Sequence, residues 1–143
     1  MITGVIYKYY NCNQKSEKTV IEISKAEFEV LEAIWLAHPA SANDIIDRLN
    51  QQKPWHEKTV KTLLNRMVKK GAIDFSKQQR SYLYSPLLER ESYTLKESQS
   101  LIERLFSGRI APLVAGFAKT EQLSQTDIDE LKQVIAQWEK END

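Results

Sequence analysis

The run from Glu57 to Gly71 restricts the fold of this chain more than any other stretch, because it predicts one helix with two very different faces. Apolar residues recur at the spacing of a single helical stripe, and Gly71 supplies a left-handed stop after it. The stripe consists of Val60, Leu63, Leu64, Met67 and Val68. The opposite side is polar and mostly basic. Such a helix buries one face against neighbouring elements and leaves the other for a polar partner.

Two shorter helices are predicted before this run. The first begins at Ser24, which forms a capping box with Glu27, and ends at the pair His38–Pro39. The second begins at Ser41, another capping residue, and ends near Gln52. Three consecutive short helices therefore precede Gly71.

After Gly71 the pattern changes to that of a β-hairpin. Residues 72–75 are predicted as one strand, residues 76–80 as a polar turn and residues 81–85 as the return strand. Three helices followed by a hairpin is the order of a winged helix-turn-helix domain. We therefore expect a mainly α fold with a small β-hairpin wing, in which residues 21–87 form an N-terminal winged helix-turn-helix domain.

Residues 88–143 are predicted as a C-terminal helical arm that forms a dimer. Gly108 separates a long helix from a short one, and Ser124 caps the last. The apolar stripes of these helices have too little mass beside them for a separate core, so they need a partner surface. We expect a second copy of the chain; the alternative is a monomer in which the arm folds back on the winged domain. The predicted dimerisation residues are Leu101, Leu105, Phe106, Leu113, Val114, Phe117, Leu131, Ile135 and Trp138.

The remaining bounds come from the N-terminus and the cysteine content. Residues 1–20 lack helical periodicity and are predicted as a flexible tail. The single cysteine, Cys12, allows no disulfide within one chain, which fits a reducing compartment. No stretch has the apolar length of a signal peptide or a membrane span. We therefore expect a cytoplasmic protein without a membrane partner.

The charge distribution points to a partner that the net charge of zero conceals. Residues 1–88 hold 13 Lys/Arg against 9 Asp/Glu, and residues 89–143 hold 7 against 11. Within residues 53–80 there are 8 basic and 2 acidic residues. A basic middle segment is typical of a module that faces phosphates.

The basic face of the third helix is the candidate DNA-binding surface. Residues that read the major groove lie in the first turns of such a helix, which favours Lys58, Thr59, Lys61 and Thr62 for base edges. Arg66, Lys69 and Lys70 lie further along and suit phosphates, and the hairpin tip suits the backbone or the minor groove. The predicted DNA-binding residues are Lys58, Thr59, Lys61, Thr62, Asn65, Arg66, Lys69, Lys77 and Arg80.

Enzymatic functions fit the composition poorly. The chain has two histidines, His38 and His56, one cysteine and four glycines. These residues offer neither a convincing metal-ligand or nucleophile constellation nor a glycine-rich phosphate loop. We expect no catalytic residues, no metal site and no cofactor.

Two stretches resemble the penicillinase-repressor family of the BlaI, MecI and CopY type. One comprises residues 23–30, 34–35 and 40–46, and the other, more specific one runs from Trp55 to Gly71. A weaker similarity continues through the hairpin and returns at residues 123–125. The resemblance implies a homodimeric repressor that binds double-stranded DNA at an inverted-repeat operator. It also implies interlocking C-terminal helices and a third helix in the major groove. On this chain the groove-reading residues would be Lys58, Thr59, Lys61, Thr62 and Arg66.

The chain departs from two induction mechanisms that the resemblance suggests. In the β-lactam branch a membrane sensor triggers cleavage at an Asn-Phe bond in the long helix, whereas the matching pair here is Ser100-Leu101. In the copper branch a C-terminal cysteine cluster binds metal, and this chain has no cysteine after Cys12. The inducer, and any sensor or protease partner, stay open.

Two other functions remain as alternatives. One is a winged-helix protein-interaction module that lost DNA binding, although the basic third helix argues against it because protein interfaces favour aromatic and apolar groups. The other is a regulator that binds a small molecule between the arm and the winged domain, which the sequence does not discriminate.

Overall fold

The structure is a computed structural model that describes residues 21–143. These residues fall into two units, one ending at Arg90 and one beginning at Glu91, and each is described by itself. The predicted tail, residues 1–20, lies outside the described residues. The elements are α1 (Lys25–Leu36), β1 (Ala40–Ser41), α2 (Ala42–Asn50), α3 (Glu57–Lys70), β2 (Ile73–Gln78), β3 (Ser81–Pro86), α4 (Arg90–Phe106), α5 (Ala111–Lys119) and α6 (Gln125–Glu141).

Helix α1 begins at its predicted cap. The Ser24 hydroxyl oxygen accepts a hydrogen bond from the Glu27 N–H at 3.2 Å, and Glu27 Oε1 accepts one from the Ser24 N–H at 3.1 Å, which confirms the capping box. The helix ends at Leu36, short of the predicted end at residue 38. Near that end, the Trp35 indole Nε1 donates to the Leu88 carbonyl at 2.9 Å and links α1 to the segment after the wing.

Helix α2 is joined both to the sheet and to α1. Ser41 ends β1 and also caps α2, where it forms the reciprocal capping box with Asp44. Arg48 reaches back from α2, and its Nη1 donates to the carbonyls of Ala33 at 2.9 Å and Ala37 at 2.7 Å. These bonds satisfy carbonyls at the end of α1, which have no partner inside that helix.

The wing is longer than predicted and has a third strand. The antiparallel order is β1-β3-β2, and Tyr84 of β3 pairs with both Ala40 and Phe75. The predicted turn at residues 76–80 is wrong: the strands continue to Gln78 and the turn is only two residues long. Gln79 in that turn is left-handed, with φ 56°. Polar residues extend the strands here because an exposed hairpin end needs backbone pairing but no apolar face.

The core of the first unit lies between the three helices and the base of the wing. Glu27 is the buried charged side chain in the part of the chain described here. The buried apolar residues are Val30, Leu31, Ala33, Ile34, Ala40, Ile45, Leu49, Val60, Leu63, Leu64, Met67, Ala72 and Ile73. A mainly helical chain with a small three-stranded antiparallel sheet confirms the expected fold class.

The described residues of the second unit form the helices α4, α5 and α6. Gly108, with φ 81°, separates α4 from α5, and Ser124 forms the predicted capping box with Asp127 at the start of α6. None of the residues described in α4, α5 and α6 is buried.

Candidate nucleic-acid interface

Helix α3 presents the predicted DNA-binding surface because its two faces have opposite environments. Val60, Leu64 and Met67 are fully buried in the core of the first unit. The opposite side is exposed and consists of Lys58, Thr59, Lys61, Thr62, Asn65, Arg66 and Lys69. The left-handed Gly71, with φ 80°, ends the helix as predicted. The exposure of the predicted residues is confirmed; their contact with DNA stays a prediction.

The exposed residues form two rows along the helix, since positions four apart lie above one another. One row is Glu57, Lys61, Asn65 and Lys69, and the other is Lys58, Thr62 and Arg66. In the first row, Lys61 Nζ lies 2.6 Å from Glu57 Oε1. This hydrogen bond, together with the positive charge of Lys61, holds the pKa of the Glu57 carboxyl below its ordinary value. In the second row, the Thr62 hydroxyl donates to the Lys58 carbonyl at 2.9 Å and keeps its oxygen as an acceptor.

Lys70 differs from the other cations of α3. Its Nζ donates to Glu27 Oε1 at 2.7 Å and to the Glu22 carbonyl at 2.8 Å. The sequence pattern placed Lys70 with Arg66 and Lys69 as suited to phosphates, but its ammonium group joins α3 to the beginning of α1. The signal was not local, because Lys70 and Glu27 are 43 positions apart.

The wing carries aromatic side chains beside its predicted cations. Lys77 lies on β2, and its Nζ is 6.0 Å from the ring centroid of Tyr82 on β3. The ring of Phe75 packs edge-on against Tyr82 with centroids 5.3 Å apart. Arg80 occupies the two-residue turn and is exposed. Burial is the main cause that raises the pKa of Tyr84, and the nearby Tyr82 raises it further. The phenol of Tyr84 therefore stays neutral.

A groove of about 300 Å³ brings part of α3 together with residues that the sequence pattern did not identify. Of the predicted residues, only Lys61 and Asn65 line this groove; Lys77 and Arg80 are not among its lining residues. The lining residues are Ser41, Ala42, Asn43, Lys61, Asn65, Ser81, Tyr82 and Tyr84. The groove depends on β1, which pairs with β3 and so places the start of α2 beside the wing.

The predicted dimerisation residues all lie on helices of the second unit. The exposed fraction is 57% for Leu105, 43% for Phe117 and 57% for Trp138. Leu101, Leu131 and Ile135 are also exposed, whereas Phe106, Leu113 and Val114 are half-buried.

Within residues 21–143, His, Cys, Asp and Glu form no group of three or more that could hold a metal ion. Over the same residues, no helix combines the length and the apolar character that crossing a bilayer requires.

A sequence model of one protein family, described as penicillinase repressor, matches residues 23–137. The chain belongs to the penicillinase repressor family. Among relatives, it is 40% identical over 114 residues to the methicillin resistance regulatory protein MecI of Staphylococcus aureus (strain N315), a match that covers 80% of this chain and 93% of MecI. It is 34% identical over 118 residues to the penicillinase repressor of Bacillus licheniformis, covering 82% and 92% of the two chains.

One solved structure is also similar to part of this chain. It is the solution structure of the Bacillus licheniformis BlaI monomeric form in complex with the blaP half-operator. The match has 35% identity and a TM-score of 0.46, and it covers 52% of this chain and 92% of that one.

Proposed function

We propose that this protein is a DNA-binding transcriptional repressor that acts as a homodimer on an inverted-repeat operator. The observation that carries the proposal is the exposed face of α3, which holds four cations and three hydroxyl or amide side chains while the opposite face is buried. Relatives named as a methicillin resistance regulatory protein and a penicillinase repressor support the same role.

In this proposal α3 lies in the major groove. Its first turns read base edges, because short hydroxyl and amide groups and long cations match the donors and acceptors of base pairs. Phosphates flank the groove and attract the cations further along the helix and at the wing. The base-reading residues are Lys58, Thr59, Lys61 and Thr62, and Asn65 follows them on the same DNA-binding face. The phosphate-contacting residues are Arg66, Lys69, Lys77 and Arg80.

We assign residues 21–87 to DNA binding and residues 88–143 to dimerisation. The exposed apolar faces of α4, α5 and α6 support the second assignment. Helices that bury no apolar side chains among themselves gain stability when a partner surface covers those side chains. A two-fold dimer presents two copies of α3, and an inverted repeat has the matching symmetry. The protein would act on double-stranded DNA in the cytoplasm, by binding rather than by catalysis.

Fluorescence anisotropy tests this function with the purified chain and two DNA duplexes. One duplex is the region upstream of its own gene and the other is a scrambled control, each titrated at several salt concentrations. We expect tighter binding to the upstream region, by a factor of about 1,000 or more, and a linear fall of log affinity with log salt. Equal and weak binding to both duplexes would call for selection of bound sequences from random duplexes. If that selection also enriches no motif, the proposal is contradicted and a protein-interaction module is favoured.

A further inference from the structure

The first turn of α3 carries an acid on a surface that otherwise lacks one. Glu57 is the single Asp or Glu between residues 57 and 70. Its carboxylate accepts from Lys61 Nζ at 2.6 Å, and both side chains are more than half exposed. Lys61 also lines the groove between α3 and the wing. A donor and an acceptor therefore stand side by side where base edges would be read.

Glu57 would weaken DNA binding if this surface served only to attract phosphates. A carboxylate near phosphates repels them and weakens binding to every sequence alike. The stabilisation that an exposed pair four residues apart gives a helix is slight. A role in discrimination between sequences accounts for the acid better than general affinity does.

The edge of a G·C base pair complements this arrangement. In the major groove guanine presents the acceptors N7 and O6, and cytosine presents the N4 amino donor next to them. O6 and N4 are hydrogen-bonded to each other and so lie about 2.9 Å apart, close to the 2.6 Å between Lys61 Nζ and Glu57 Oε1. An A·T pair in the same orientation opposes both groups, because its N6 amino donor faces the ammonium group and its O4 acceptor faces the carboxylate. In the reversed orientation, T·A, a methyl group takes the place of guanine N7 beside the ammonium group, which is a poorer match.

We propose that Glu57 is a specificity-determining residue that, together with Lys61, selects one G·C base pair in each operator half-site. Glu57 accepts a hydrogen bond from the cytosine amino group while Lys61 donates to guanine. This inference rests on the proposed repressor function, and it adds an acidic residue to a site that was predicted from cations, hydroxyls and amides.

The experiment is enrichment of bound sequences from a random duplex library with the full-length chain. Three proteins are compared: the wild type, Glu57→Gln, and Asp47→Asn as the control. Asp47 is an exposed carboxylate on α2, so its replacement makes the same charge change away from α3. We expect the wild type and the Asp47 variant to enrich the same motif. The Glu57 variant loses the G·C preference at one position per half-site, or shifts it to A·T, because glutamine pairs well with adenine.

Anisotropy on duplexes that differ at that one position then gives the magnitude. Replacing G·C by A·T is expected to weaken wild-type binding about tenfold or more, and binding of the Glu57 variant less than threefold. Equal motifs and equal discrimination for the wild type and the Glu57 variant would overturn the inference and leave the repressor function standing. A wild type that enriches no motif would overturn both.

Discussion

The Lys70 ammonium group lies 2.7 Å from the Glu27 carboxylate and joins the last turn of α3 to the first turn of α1. Glu27 is almost completely buried, with 1% of its side chain exposed, whereas Lys70 is 32% exposed. The same carboxylate oxygen completes the capping box with Ser24, and the other, Oε2, has no hydrogen-bond partner among the described residues. One buried acid therefore couples the cap of α1 to the orientation of α3.

Replacing Lys70 by methionine is expected to destabilise the protein by about 3 kcal/mol, because it leaves a buried carboxylate without its countercharge. Urea unfolding followed by circular dichroism measures the effect. Lys69→Met is the matched control, since this neighbouring side chain is exposed and its replacement should change the free energy of unfolding by less than about 0.5 kcal/mol. Equal stability of the two variants would show that the ion pair contributes nothing.

The pH dependence of stability should contain a component from Glu27. Burial by itself raises the pKa of this carboxyl, but hydrogen bonds from Lys70 and Ser24 outweigh it, so the pKa lies below its usual value of 4.5. The resulting stabilisation is complete above pH 4.5 and is lost as the pH falls through the folded-state pKa.

Urea unfolding at a series of pH values, for the wild type and for Glu27→Gln, isolates this component. We expect the difference in free energy between the two proteins to shrink as the pH falls below 4.5. A difference that stays constant over that range would contradict the pKa shift.

Lys61 and Lys69 should affect DNA binding in different ways. We expect Lys61→Ala to weaken binding to the operator about tenfold while the salt dependence changes little, because this residue is assigned to base edges. Lys69→Ala should weaken binding to all sequences and reduce the slope of log affinity against log salt by about 1.

Anisotropy titrations on operator and scrambled DNA separate these two patterns, and circular dichroism checks that both variants are folded. Lys25→Ala, at an exposed position of α1, serves as the control for loss of one positive charge. Unchanged operator affinity for Lys61→Ala would show that another surface reads the bases.

Phe117→Asp is expected to convert the protein to monomers, because it places a charge in the apolar face of α5 that we assign to the dimer interface. Sedimentation velocity measures the oligomeric state over a range of concentrations. Ala115→Asp introduces the same charge on the opposite side of α5 and should leave the dimer intact. A Phe117 variant that sediments as a dimer of normal stability would exclude this face from the interface.

Local signals account for the parts of the fold that the sequence predicted. The caps at Ser24, Ser41 and Ser124 and the stop at Gly71 all depend on residues within a few positions of one another. The exposed face of α3 follows from helical period alone. Such features need no knowledge of which elements meet in space.

Contacts between distant segments account for what was missed. The short strand β1 exists because Ala40 and Ser41 pair with β3, more than 40 positions away. Its two residues are too few to produce an alternating pattern. The groove beside α3 and the Glu27–Lys70 ion pair also depend on tertiary placement.

The helices of the second unit, in which no described residue is buried, have a consequence for gene dosage. If these helices bury their apolar side chains only against a second chain, the operator-competent species is the dimer. Its amount then depends on the square of the copy number when copies are few. Halving the supply of repressor would then reduce that amount about fourfold. Transcription of the controlled gene would switch over a narrow range of expression rather than follow it in proportion.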